Sequence, residues 1–278
     1  MGSKAGPGNV MAVSQDLSSA SSCYGAESTE FHSRLLRVSM ALDESRAYWE
    51  HVLPDSPKAK RAEQAFEGRW FGSKSMERVK RLLADLNRRY DGIALEVLTQ
   101  WQPKNPVTRQ NICHWHLQLT DPMYRAFTGV FLEQRRADST ATIDRDIAAR
   151  WVNENLETEW ATATVLRMAT ALITCATAAG LCKQAPGNRP LIYPQVTDEA
   201  LAYWFYLFRY VQFEGTLLAN PYLASVGLQG SFLEERLPTL PGLKFSRMGD
   251  LHEFDWQYAD LSSWARGELD SATKEDRP

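Results

Sequence analysis

Apolar residues recur at helical spacing along most of this chain. The segment Lys74–Tyr90 carries Met76, Val79, Leu82, Leu83, Leu86 and Tyr90 on one stripe, the pattern of an amphipathic helix. Leu35, Val38, Leu42 and Trp49 predict a helix from Phe31 to Leu53, stopped by Pro54 and Pro57. Further helices are expected over Lys58–Phe66, Ile93–Trp101, Val107–Leu119 and Pro122–Arg136. The last has Asp121 as its N-cap and Pro122 in its first position. Thr197 caps a helix reaching Val211. It is apolar or amphipathic nearly all round, through Tyr203, Trp204, Phe205, Tyr206, Phe208 and Tyr210, so it should be buried. Asn220-Pro221 opens another helical piece. Leu243–Met248 and Leu251–Trp256, joined by Gly249-Asp250, read as a β-hairpin with a two-residue turn.

The order of elements from Thr142 to Tyr193 carries the most information. A helix over Thr142–Asn153 is followed by a break at Glu154–Glu157 and a long helix from Thr158 to Gly180. Leu181-Cys-Lys183 and Leu191-Ile-Tyr193 then flank the turn Ala185–Pro190. Helix, turn, helix and two-stranded wing are the outline of a winged helix. The expected fold class is mainly α, with a helical N-terminal domain and a winged-helix-like C-terminal domain bearing a small β-hairpin. The expected divisions are a disordered extension over 1–29 rich in Gly, Ser and Ala, a helical domain over 30–138, the winged-helix-like domain over 139–266, and a charged tail over 267–278.

A net charge of -3 confines any nucleic-acid surface to a local patch. The four cysteines, Cys23, Cys113, Cys175 and Cys182, include no CxxC pair and read as reduced thiols. The opening residues lack a charged-then-apolar pattern, so no signal peptide is expected. The most apolar stretch, 161–182, is interrupted by Arg167 and contains five Thr, which favours a buried helix over a membrane span. A cytoplasmic protein with no membrane contact is expected.

On the Lys74–Tyr90 helix, Lys74, Arg78, Arg81, Arg88 and Arg89 fall opposite the apolar stripe, with Asp85 in the same sector. Such a side can lie along a phosphate backbone; it can equally be a solvated helix face. Lys183, Asn188 and Arg189 of the wing could touch phosphate, or form an ordinary polar turn. The long helix presents only Arg167 after its cap, and a base-reading helix usually presents more. Cys113, His114 and His116 resemble metal ligands in spacing, but only Cys113 and His116 share a helix face, so core positions are expected. The chain has no Walker motif, dinucleotide loop, HExxH or GxSxG elbow. No catalytic residue, metal, cofactor or small-molecule substrate is expected.

Several strings resemble the BrxA family of BREX bacteriophage-defence systems. They are Leu42-Asp-Glu-Ser-Arg46, Ser73–Leu83 with Leu86 and Arg88-Arg89-Tyr90, Thr164–Leu181 closing on Ala179-Gly180-Leu181-Cys182, and Ile192-Tyr193-Pro194 followed by the Thr197 helix. The chain departs from the family in being longer, with an N-terminal extension and a long aromatic C-terminal half. The resemblance implies a non-enzymatic component that binds double-stranded DNA with weak sequence preference and works with other defence-system proteins. The alternative is a protein-interaction scaffold that never touches nucleic acid, anchored by the aromatic helix around Trp204 and by Trp256–Tyr258. A nuclease or modifying subunit is disfavoured by the lack of carboxylates or histidines at metal spacing.

Overall fold

The computed structural model describes residues 24–156, 159–249 and 251–269. Side-chain caps set most helix starts. Ser75, Asp91, Asn105, Asp121, Asp144, Thr197, Asn220 and Asp260 each accept a hydrogen bond from a backbone N–H of the first turn, satisfying a donor that has no partner within its helix. In chain order the helices begin with α1 (Leu42–His51), α2 (Lys58–Glu67), α3 (Met76–Arg89), α4 (Gly92–Trp101) and α5 (Pro106–Thr120). Next come α6 (Pro122–Ala126), a π-helical stretch Phe127–Phe131 and α7 (Leu132–Arg136). Strand β1 (Thr142–Ile143), α8 (Arg145–Glu154), α9 (Thr162–Ala178) and β2 (Arg189–Pro190) follow. The chain continues with α10 (Asp198–Phe208), α11 (Pro221–Ser225), α12 (Ser231–Glu234), β3 (Leu243–Met248), β4 (Leu251–Trp256), α13 (Leu261–Trp264) and a π-helical stretch Ala265–Leu269. The protein is mainly helical, and the described residues form two small antiparallel sheets.

Three expectations need correction. Phe31–Met40 is not helical apart from one 3-10 turn, Arg34–Leu36. Its carbonyls are drawn away from a helical ladder by α3: Arg78 takes that of Arg37, and Arg89 takes those of Val38, Ser39 and Met40. Residues 24–29, placed in the disordered extension, are tied down: Tyr24 N–H donates to Tyr210 O, Glu27 N–H to Gln212 O and Ser28 N–H to Leu119 O. Residues 1–23 of that extension lie outside the described residues. Thr142-Ile143 is a strand, and α8 starts only after the cap Asp144, whose Oδ1 accepts from Ile147 N–H at 2.8 Å.

The long helix begins at Thr162 after Ala161; Thr158, the start expected for it, lies outside the described residues. It ends at Ala178, two residues before the expected stop; Gly180, just past the cap Ala179, adopts φ +73°, a left-handed conformation that glycine enters without strain. Beyond it, Lys183 N–H donates to Pro190 O and Ile192 N–H to Leu181 O, so the two flanks of the turn pair as expected. They are joined by β1: Ile143 faces Arg189, and Leu191 N–H reaches Ala141 O. The second hairpin has the expected register, from Leu243 opposite Trp256 to Met248 opposite Leu251.

The centre of the molecule is α5 against α10. Every residue from Ala200 to Phe208 is buried, and Trp204 stacks on Phe208 with ring centroids 4.5 Å apart. One contiguous apolar cluster runs from Leu35 to Ala265 and crosses the boundary expected near residue 138. The C-terminal Trp264, fully buried, packs edge-on to Trp101 of α4 and stacks on Tyr206 of α10. Among the described residues no helix is long and apolar enough to cross a membrane.

Candidate nucleic-acid interface

The proposed basic side of α3 separates into three kinds of residue. Arg81 and Arg88 are exposed, and Arg88 Nη1 only folds back on Ala84 O at 3.0 Å. Arg78 is exposed as well, and its Nη1 donates to Arg37 O at 2.7 Å. Lys74 precedes the helix; it is half-buried, 3.4 Å from Glu44 Oε1 and 3.1 Å from Phe71 O, and so joins the start of α3 to α1. Arg89 does not belong to the surface at all. It is 3% exposed, and its guanidinium spans Met40 O and Ser39 O at 2.8 and 2.7 Å. Its Nη2 lies 2.5 Å from Asp85 Oδ2, near enough for an ion pair though not aligned as a hydrogen bond. The physical reason is angular. Arg89 sits beside Leu82 at the margin of the apolar stripe, and the chain passing over α3 at 38–40 covers it.

That covering segment adds cations which helical periodicity could not place. Arg34 borders, with Arg88, a small cavity of about 10 Å³. Arg37 lies exposed where Arg78 grips its carbonyl. Leu36 then leads to an open groove of about 340 Å³ that it shares with Arg145 of α8 and Arg167 of α9. The exposed strip of α9 continues through Thr170 and Thr174, whose hydroxyls are turned back on Leu166 O and Thr170 O. Among the described residues, Arg34, Arg37, Arg78, Arg81, Arg88 and Arg167 have no acidic group within ion-pair distance. The nearby acids are already engaged: Asp85 with Arg89, Glu77 with Lys80 and Asp146 with Arg145. Cations left unpaired on one surface retain their full attraction for an anionic partner.

The residues expected to form a wing make a separate and smaller group. Lys183 and Asn188 are exposed, while Arg189 is half-buried with Nη1 3.5 Å from Gly187 O. The segment carrying them leaves the C-terminal end of α9, whereas Arg167 is in its second turn. Those points are about 17 Å apart along the helix axis at 1.5 Å per residue.

Cys113, His114 and His116 are core residues with divergent partners. His114 is held between Tyr124 OH and Ser225 Oγ, both at 2.9 Å. His116 contacts Arg89 O at 2.7 Å and Tyr203 OH at 2.8 Å. Burial pushes His114 down to about 3 and His116 down to about 4, so both imidazoles are neutral in the fold. Cys113 Sγ meets Tyr90 OH at 3.3 Å. A polar sequence cluster thus serves to satisfy buried donors and acceptors in the α3–α5–α10 core. Comparison with models of protein families finds no match, and comparison with curated proteins finds none either.

Proposed function

We propose that this protein is a non-enzymatic DNA-binding component of a BREX-like phage-defence system, engaging the duplex backbone with little base readout. The observation that carries the DNA reading is the run of unpaired arginines from α3, across Arg34 and Arg37, to Arg167 on α9. Phosphate contacts by such side chains release counterions and tolerate any sequence. In this reading β1, α8, α9 and the paired segments around the 184–188 turn form a winged helix. Its second long helix offers duplex DNA threonines and one arginine, a poor set for distinguishing bases. Lys183 and Arg189 supply a second phosphate contact from the wing. The place in a defence system rests on the resemblance to the BrxA family.

The test is a gel shift across a salt series with unrelated duplexes. Arg78→Glu, Arg81→Glu and Arg88→Glu together should abolish binding with the fold intact: the side chains are exposed, and of their hydrogen bonds only that of Arg78 to Arg37 O reaches another segment. Single Arg→Ala changes should each reduce the slope of log affinity against log salt by roughly 0.9 for every phosphate no longer neutralised. A folded triple variant that binds like the parent overturns the reading. The scaffold alternative is favoured by a different feature: Phe232, Met248 and Leu251 are 70, 71 and 59% exposed, the last two at the tip of the β3–β4 hairpin. The anchors expected at Trp256 and Tyr258 are half-buried, with Trp256 under the Arg209 guanidinium at 4.6 Å.

A further inference from the structure

Between the C-terminal half of α1 and the loop joining α4 to α5 is an open pocket of about 300 Å³. Its wall carries Arg46, Trp49 and Glu50 from α1, Gln102 and Lys104 from the loop, and Arg109 from α5. Three of these are cations and one is an acid, an excess of two positive charges. Among the described residues none of the four is within ion-pair distance of an opposite charge. Arg109 is fixed in place: its Nη1 donates to Pro103 O at 2.9 Å and Lys104 O at 2.5 Å, which holds the loop to the helix and orients the guanidinium. Gln102, at φ +44°, makes the turn that brings the loop over α1, and its N–H donates to Leu98 O.

Trp49, 1% exposed, lines the pocket from the side of the core. Two arginines and one ammonium in a concave wall are donors that suit a tetrahedral oxyanion. The volume is at the lower end of small-molecule sites, roughly 300–1,000 Å³, so a body larger than a phosphate group fits. Gln102 and Glu50 offer polar partners for hydroxyls on that body.

We propose that this pocket binds a phosphomonoester of sugar-phosphate size. The same donors would accept a phosphate of a nucleic-acid backbone, so the experiment must separate the two sources. Calorimetric titrations of the full chain would use ribose 5-phosphate, inorganic phosphate, neutral ribose and a short duplex. Ribose 5-phosphate should bind saturably, inorganic phosphate more weakly and ribose not at all. Arg46→Gln and Lys104→Gln, both at exposed side chains, should each weaken ribose 5-phosphate by about tenfold, the effect of removing one charge-assisted hydrogen bond. Arg81→Gln on α3 should leave this binding unchanged, and Arg46→Gln should leave duplex affinity unchanged. The proposal falls if the parent shows no saturable binding, or if both pocket variants bind as the parent does. It also falls if Arg46→Gln weakens duplex and sugar phosphate alike, since the pocket would then be part of the DNA surface. These outcomes are independent of the α3 variants that test DNA binding.

Discussion

Arg88 and Arg89 are neighbours in sequence, and replacing each by Gln should have opposite consequences. Arg89 sits in the core against Asp85, which is 8% exposed, and supplies donors to the carbonyls of Val38, Ser39 and Met40. Arg89→Gln removes the cation, leaves a buried carboxylate uncompensated and strips those carbonyls of their donors. Breaking a buried pair in this way costs about 3–5 kcal/mol. In a chain of this size each kcal/mol moves the melting temperature by about 2–4 °C, so a fall of about 6–20 °C is expected by calorimetry or circular dichroism. Adding Asp85→Asn should recover part of the loss, because the unpaired charge is then gone. Arg88→Gln, at an exposed side chain bonded only to Ala84 O, should stay within about 0.5 kcal/mol of the parent and show its effect in the salt dependence of DNA binding. If Arg89→Gln melts within about 2 °C of the parent, or if Arg88→Gln is destabilised as much, the division of this helix into buried clamp and exposed contact is wrong.

Three further outcomes follow from the packing. At Gly129, in the π-helical stretch, an added Cβ would lie 2.4 Å from Pro221 O and 2.5 Å from Pro221 Cβ; the carbonyl is backbone and cannot swing aside. Gly129→Ala should therefore cost about 1–3 kcal/mol in a denaturant titration, and an unchanged midpoint would refute that close approach. His114 and His116 are neutral in the fold, with pKa values held at about 3 and about 4, while the unfolded chain takes up both protons below about pH 6.5. Acid thus favours unfolding: stability is lost as pH falls below about 6.5, by about 2 kcal/mol per group at about pH 5, and a His114→Gln, His116→Gln variant that keeps its fold should lose less over that range. Cys113, Cys175 and Cys182 are buried, and burial pushes Cys175 up to about 12 and raises the other two. Mass spectrometry after iodoacetamide should find these three unmodified until denaturant is added; labelling of the native protein at any of them would contradict their burial.

Local signals in the chain were enough to place most elements. The stripe Val79, Leu82, Leu83, Leu86 and Tyr90 is buried as its spacing requires, because helix geometry alone decides which side chains share a face. Asp121-Pro122 and Asn220-Pro221 start helices where capping chemistry places them, and Gly249-Asp250 joins β3 to β4 in the expected register, although Asp250 itself is outside the described residues. The uniform burial of the Thr197 helix followed from its having no polar face. Cap, turn and periodicity are short-range properties, written within a few residues. The fate of individual polar groups is not. Arg89 and Arg88 look alike in sequence, and only the passage of residues 38–40 over α3 makes one a core clamp. Arg34 and Arg37 are far in sequence from Arg167 and come near it only because the 34–36 turn packs on α9. The pocket of Arg46, Lys104 and Arg109 likewise needs α1 beside the α4–α5 loop. Periodicity sorts side chains into inward and outward around a single helix axis. Which outward faces become covered, and which cations end up together, depends on contacts between segments far apart in sequence, and only the tertiary fold sets those.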